Sequence, residues 1–217
     1  MQYDRDCDRE EIGVCRYSMD NLVIYVHGKG GTADEAKHYK PLFPESDVIG
    51  FDYKSQNPWD AKSEFCRFYD WNSKGYDSVT LVANSIGAFF SMNALAEKMI
   101  SKALFISPIV NMERLISDMM IWANITEDEL FSRKEIPTDF GETLSWEYLC
   151  YVRTHPIRWN IPTHILYGAN DNLTSRETMY EFAEQTGAIL TVMNGGEHWF
   201  HTVKQMEFLD DWIRKSI

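Results

Sequence analysis

A serine separates two apolar runs in residues 81–90, which read LVANSIGAFF. Ala83 lies two residues before Ser85, and Gly87 lies two residues after it. Small residues at those positions allow a buried strand to turn directly into a helix, with the serine hydroxyl exposed at the apex. The amides of that helix point at the same spot and favour negative charge there. The pattern predicts a nucleophilic serine, and the alternative is a serine that only caps the helix.

Residues able to activate a serine lie elsewhere in the chain. His198 lies in a glycine-rich stretch near the C-terminal end, and His201 is an alternative base. Histidine can take the proton of a serine and deliver it to a leaving group. Asp171, Asp52 and Glu113 are the candidate acids that would orient the histidine and stabilise its charged form.

Apolar runs and helical patterns alternate along the chain. Six short apolar runs are predicted to be strands, at residues 22–26, 47–51, 78–82, 103–106, 164–167 and 189–193. Helical patterns cover residues 33–43, 59–71 and 85–100. Two further helices are predicted, one that begins after a cap at Ser175 and one at the C-terminal end. Apolar strands alternating with helices predict an α/β fold, with a mostly parallel, doubly wound sheet flanked by helices.

One segment departs from this alternation. From about residue 111 to 160 the sequence has helical patterns, many aromatic residues and no convincing strand. We expect a helical cap inserted into a single domain that spans residues 1–217. A short edge strand is expected around residues 12–17.

Composition bears on partners and location. The formal net charge is −12, from 21 Lys and Arg against 33 Asp and Glu. A nucleic-acid partner requires a basic surface, so none is expected. No segment approaches the roughly 18 apolar residues of a membrane-spanning helix. The polar N-terminus does not resemble a secretory signal, and four cysteines without CxxC spacing fit a reducing compartment, so we expect a cytoplasmic protein.

The motifs, taken in chain order, resemble those of the α/β-hydrolase superfamily. The superfamily pattern around the nucleophile is G-x-S-x-G, and this chain departs from it only by Ala83 in the first position. The resemblance implies that Ser85 is the nucleophile and His198 is the base and then the acid. It implies that Asp171, rather than Asp52 or Glu113, is the orienting acid.

The resemblance also gives a role to the sequence HGKGG that begins at His27. A turn of this kind donates a backbone amide to the oxyanion in the superfamily, so the Lys29 and Ile86 amides are expected to form the oxyanion hole. His27 is expected to shape that turn. A phosphate-binding loop is disfavoured, because the match to G-x-x-x-x-G-K-[ST] fails.

The function predicted from these residues is hydrolysis of a small carboxylic ester through an acyl-enzyme intermediate. The partner would be a small-molecule ester, with an apolar or aryl group held by the aromatic insertion. Alternatives are a non-catalytic binding protein of the same fold, and thioesterase, lyase or haloperoxidase chemistry on the same residues. No cofactor is implied. A metal site at Glu197, His198 and His201 is disfavoured, because the order is not H-E-x-x-H.

Overall fold

A computed structural model describes residues 21–217 of the chain. Eight strands lie within these residues: β1 (Asn21–Val26), β2 (Ser46–Phe51), β3 (Ser78–Asn84), β4 (Lys102–Ile106), β5 (Glu135–Pro137), β6 (Thr143–Ser145), β7 (Thr163–Gly168) and β8 (Ile189–Met193). Six of them form one parallel sheet in the order β2-β1-β3-β4-β7-β8. All six predicted strands are present, and the predicted parallel α/β sheet is confirmed. The expected strand at residues 12–17 lies outside the described residues.

Helices cover both faces of the sheet: α1 (Ala36–Tyr39), α2 (Pro58–Asn72), α3 (Ile86–Leu95), α4 (Met112–Trp122), α5 (Glu127–Arg133), α6 (Trp146–Thr154), α7 (Arg176–Thr186) and α8 (Val203–Ser216). Side chains alternate along each strand, so one strand supplies two cores. Leu22 and Ile24 pack in the core that contains α2 and α3, whereas Val23 and Tyr25 pack in the core that contains α1 and α8. Burial on both faces explains why these strands read as continuous apolar runs.

The helical predictions need two corrections. The segment predicted as one helix at 33–43 is a short α-helix between two 3₁₀ turns, and Pro41 lies in the second turn, where it has no N–H to donate. The helix predicted at 85–100 begins at Ile86 and ends at Leu95. Met99, which lies beyond the end of this helix, is 90% exposed.

The segment between β4 and β7 holds three helices, as expected, and also two strands that the sequence did not predict. Strands β5 and β6 form an antiparallel ribbon in which Ile136 pairs with Leu144. Each of these three-residue strands buries a single residue, so no alternation was available to detect. Helix α6 lies against α4, and Arg153 on α6 binds Glu113 and Glu127. Helices and ribbon together are called the inserted segment below.

Two helix starts matter for the site because they hold the loops of the sheet edge. Ser175 caps α7 through a bond from the Thr178 amide, as expected. Thr202 and Gln205 form a reciprocal capping box at the start of α8. Across residues 21–217, no helix has the length and apolar composition needed to cross a membrane.

Candidate active site

Ser85 lies at the turn between β3 and α3, in a strained backbone conformation. Its φ is 52° and its ψ is −122°, a region that non-glycine residues rarely occupy. Its amide donates to the Ile106 carbonyl at 3.0 Å, and its carbonyl accepts from the amides of Ala88 and Ile109. Bonds on both sides fix the turn, so the surrounding structure holds the strain.

Close backbone approach explains the small residues beside Ser85. A Cβ on Gly87 would lie 2.3 Å from the His27 carbonyl oxygen, which is too close for any side chain. A Cβ on Gly28 would lie 3.1 Å from the Ser85 Cβ. Glycine at position 87 lets the end of β1 and the start of α3 meet beside the serine, whereas a side chain at position 28 would press on Ser85.

The structure brings Ser85, His198 and Asp171 into one hydrogen-bonded series. The Ser85 Oγ lies 2.8 Å from His198 Nε2. The other ring nitrogen, Nδ1, lies 2.7 Å from Asp171 Oδ2. Since a carboxylate only accepts, Nδ1 carries the hydrogen and Nε2 is free to accept the serine proton. Both ring nitrogens are engaged, which leaves none for the metal arrangement considered with Glu197 and His201.

The Asp171 carboxylate is held by its own loop. Its side chain is fully buried, and Oδ1 accepts from the amides of Leu173 at 2.8 Å and Thr174 at 3.0 Å. The preceding residue, Asn170, donates its amide to the Gly196 carbonyl in the loop that carries His198. The acid and the histidine are therefore positioned by two loops that are bonded to each other.

The other candidate residues have different partners. Asp52 is exposed and pairs with Lys54 at 2.8 Å. Glu113 binds Arg153 on α6 at 2.8 Å. His201 stacks on Trp199, and within the described residues it forms no hydrogen bond with Ser85, His198 or Asp171. The structure thus places Asp171 and His198 at Ser85, and the rival acids and histidine elsewhere.

The two residues expected to form the oxyanion hole each adjoin the serine turn. Ile86 is the first residue of α3, where an amide has no acceptor four residues back in its own helix. Lys29 follows Gly28, which contacts the Ser85 side chain. Within residues 21–217, neither amide donates to a main-chain carbonyl in a loop, turn or cap.

Tyr53 supports the His27 turn, and sequence reasoning missed it. Its ring stacks on His27 with centroids 4.4 Å apart, and its hydroxyl donates to the His27 carbonyl at 3.0 Å. Burial raises the pKa of the Tyr53 hydroxyl, so this group remains a donor. His27 in turn bonds the Gly28 carbonyl through Nδ1 at 2.8 Å, as expected of a residue that shapes the turn. A tyrosine shortly after β2 was the only signal available.

A cavity of about 710 Å³ opens at Ser85, between the sheet edge and the inserted segment. Helix α4 contributes four apolar side chains on one face: Met112, Leu115, Ile116 and Met119. Phe90 and Tyr148 add aromatic walls, and Lys29 and Glu142 form an ion pair between the His27 turn and the ribbon. The volume and the mostly apolar walls suit a small organic molecule.

Known proteins share this fold at low sequence identity. No protein-family model matches the chain. A Mycoplasma genitalium protein named as a candidate esterase/lipase is 30% identical over 81 residues, which span 36% of this chain and only 29% of that protein. Est1E from Butyrivibrio proteoclasticus, also solved with ferulic acid bound, superposes with a TM-score of 0.73 at 16% identity, covering 91% of this chain and 87% of Est1E.

A mammalian protein gives the same result. Mouse alpha/beta hydrolase domain-containing protein 10 superposes with a TM-score of 0.73 at 13% identity, covering 89% of this chain and 88% of its own. The strand order, the serine turn at the end of β3 and these superpositions agree on one architecture. The chain has the α/β-hydrolase fold.

Proposed function

We propose that the protein is a serine hydrolase that cleaves small carboxylic esters through an acyl-enzyme intermediate. The observation that carries the proposal is the series Ser85–His198–Asp171, with distances of 2.8 Å and 2.7 Å, whose serine lines a mostly apolar cavity. A serine hydroxyl alone is a weak nucleophile and needs an adjacent, oriented base. The series supplies the base and its orienting acid.

In the first half-reaction, His198 Nε2 takes the proton as the Ser85 Oγ attacks the ester carbonyl carbon. The negative charge that develops on the carbonyl oxygen would be held by the Lys29 and Ile86 amides. Asp171 stabilises the imidazolium that forms, through the bond to Nδ1. The imidazolium then protonates the leaving alcohol, and the C–O bond breaks to leave an acyl group on Ser85.

In the second half-reaction, water replaces the alcohol. His198 takes a proton from the water, the hydroxide oxygen attacks the acyl carbon, and the acid product leaves as Ser85 regains its proton. Every proton passes through His198, so the fixed position of its ring matters in both halves. The steps use only groups of this chain, water and the substrate.

The substrate is proposed to carry an apolar alkyl or aryl acyl group, because α4 and Phe90 line the cavity with apolar side chains. Est1E, which has the same fold, has been solved with the aryl acid ferulic acid bound, so aryl esters belong in a first substrate panel. We also propose that the inserted segment acts as a cap, since its α4 and ribbon form the outer wall. A single domain, a cytoplasmic location and the lack of a nucleic-acid partner remain predictions from the sequence.

Labelling with a fluorophosphonate probe tests the proposal. Wild type should take up one label on the peptide that contains Ser85, and Ser85→Ala should take up none while keeping its thermal unfolding midpoint. Ser91→Ala, which removes a buried hydroxyl from the same helix, is the matched control and should label like wild type. A folded wild-type protein with no label and no activity on an ester and thioester panel would overturn the proposal in favour of a binding protein.

A further inference from the structure

One charged pair lies in the wall of the cavity. Of the described residues that line the cavity, only Lys29 and Glu142 carry an ammonium, guanidinium or carboxylate group. The two residues are 113 positions apart in the sequence, and their side chains form an ion pair between the His27 turn and the ribbon of the inserted segment. The other charged residues between positions 21 and 217 do not line the cavity.

The pair lines the same cavity as the proposed nucleophile. A Cβ on Gly28, the neighbour of Lys29, would lie 3.1 Å from the Ser85 Cβ. The side chains of Lys29 and Glu142 are 57% and 38% exposed, so the pair lies at the rim of the cavity rather than in its interior. Lys29, Glu142 and Ser85 line the same cavity, so a substrate that fills this cavity would pass or touch the pair.

Stability does not explain the pair well. Ion pairs with this much exposure contribute little to folding, because water already solvates both groups. An unpaired charge at the rim would act differently, since it attracts opposite charge and repels like charge on a substrate that comes close to it. Pairing cancels both effects at the rim.

We propose that the Lys29–Glu142 ion pair restricts the site to uncharged substrates. Glu142 occupies the ammonium that would otherwise bind a substrate carboxylate, and Lys29 neutralises the carboxylate that would otherwise bind a cationic substrate. Removal of Glu142 should thus open the site to anionic esters. This inference rests on the proposed hydrolase function, because it assigns the substrate charge of that same site.

The test compares three p-nitrophenyl esters of similar length. They are the esters of pentanoic acid, of glutaric acid with one free carboxylate, and of 4-(trimethylammonio)butanoic acid. Wild type should prefer the uncharged ester. Glu142→Gln should raise the glutarate-to-pentanoate ratio of kcat/KM by roughly tenfold, since one nearby charge is unmasked, and should lower the ratio for the cationic ester. High ionic strength should shrink both changes.

The matched control removes the same charge from the same ribbon. Glu135 lies on β5, is exposed and does not line the cavity. Glu135→Gln should leave all three ratios at wild-type values. Equal shifts in the two variants would show a general effect of net charge, and no shift in Glu142→Gln would show that the pair has no part in selection. Either result overturns the inference.

A binding measurement separates this inference from the hydrolase proposal. The N-phenyl amides of the same three acids are poor substrates, and their dissociation constants can be measured by calorimetry. If wild type cleaves none of these esters, takes up no fluorophosphonate label and is inactive on the wider ester and thioester panel, the hydrolase proposal fails. The change in amide affinity between wild type and Glu142→Gln still decides whether the pair selects by charge.

Discussion

At the scale of single residues, the backbone of Ser85 carries strain that the fold must offset. A residue in such a region costs about 1–3 kcal/mol, and three main-chain hydrogen bonds hold it there. The result is a hydroxyl that already faces His198 Nε2 before any substrate arrives. The proposed chemistry therefore requires no rearrangement of the serine.

Asp171→Asn should lower kcat by roughly 10³–10⁴-fold with a small change in KM, because an amide in place of the carboxylate favours the wrong histidine tautomer. An asparagine oxygen can still accept from the amides of Leu173 and Thr174, so the loop should keep its shape. Steady-state kinetics on the best ester and a thermal unfolding midpoint measure the two effects.

Asp52→Asn is the control, because Asp52 is the other strand-end aspartate and pairs with Lys54 on the surface. Its kcat should stay within about twofold of wild type, since exposed substitutions away from a site have small effects. A large loss in Asp52→Asn with a small loss in Asp171→Asn would reverse the assignment of the acid.

At the scale of elements, the site depends on how closely α3 approaches the end of β1. The Gly87 position touches the main chain of Val26 and His27, and the His27 turn carries one proposed oxyanion donor. The packing of a helix against a strand end thus sets the distance between the serine and the Lys29 amide.

Gly87→Ala should destabilise the protein by about 1–3 kcal/mol and reduce kcat, since the added methyl group must push the His27 turn away. That cost should exceed the roughly 1 kcal/mol that alanine gains over glycine inside a helix. Urea denaturation and ester kinetics measure the two changes.

Gly75→Ala is the control that separates the effect of backbone strain from the effect of a methyl group beside the His27 turn. Gly75 has a φ of +87° and open space around it, so alanine there should cost about 1–2 kcal/mol through the backbone alone. It should leave kcat at the wild-type value. Wild-type stability and kcat in Gly87→Ala would contradict the close packing described.

The elements also show what a sequence can and cannot predict. Strands buried on both faces leave continuous apolar runs, so all six strands of the sheet were predicted, and Ser175 was recognised as a helix cap. The ribbon was missed because Ile136 and Leu144 are isolated apolar residues in short strands. The pairing of Lys29 with Glu142 has no local signal, because it depends on how the inserted segment folds over the sheet edge.

At the scale of the whole molecule, pH should act on stability through a histidine in the sheet. His164 lies on β7 opposite Leu104 of β4 and Ile189 of β8. Burial lowers its pKa below the ordinary value of 6.5, and the nearby Lys102 lowers it further. The unfolded chain therefore binds this proton more readily than the folded protein does.

This difference in proton binding sets the direction in which pH changes the free energy of unfolding. The contribution of His164 to the free energy of unfolding is fully present above pH 6.5, where its side chain is neutral in both states. It is lost as the pH falls through the lowered pKa of the folded protein. His164→Gln should flatten the decrease in the free energy of unfolding on the acid side. Urea denaturation from neutral to mildly acidic pH measures this, and identical pH slopes in the two proteins would contradict a lowered pKa for this half-buried histidine.

The most direct test of the central claim is to trap the acyl group. Wild type would be mixed with a p-nitrophenyl ester, quenched in acid during the first turnovers, and weighed intact by mass spectrometry before peptide mapping. The proposed mechanism predicts an added acyl mass on the peptide that contains Ser85, and none in Ser85→Ala. Rapid release of p-nitrophenol with no acyl mass on the protein, or the acyl mass on another residue, would contradict it.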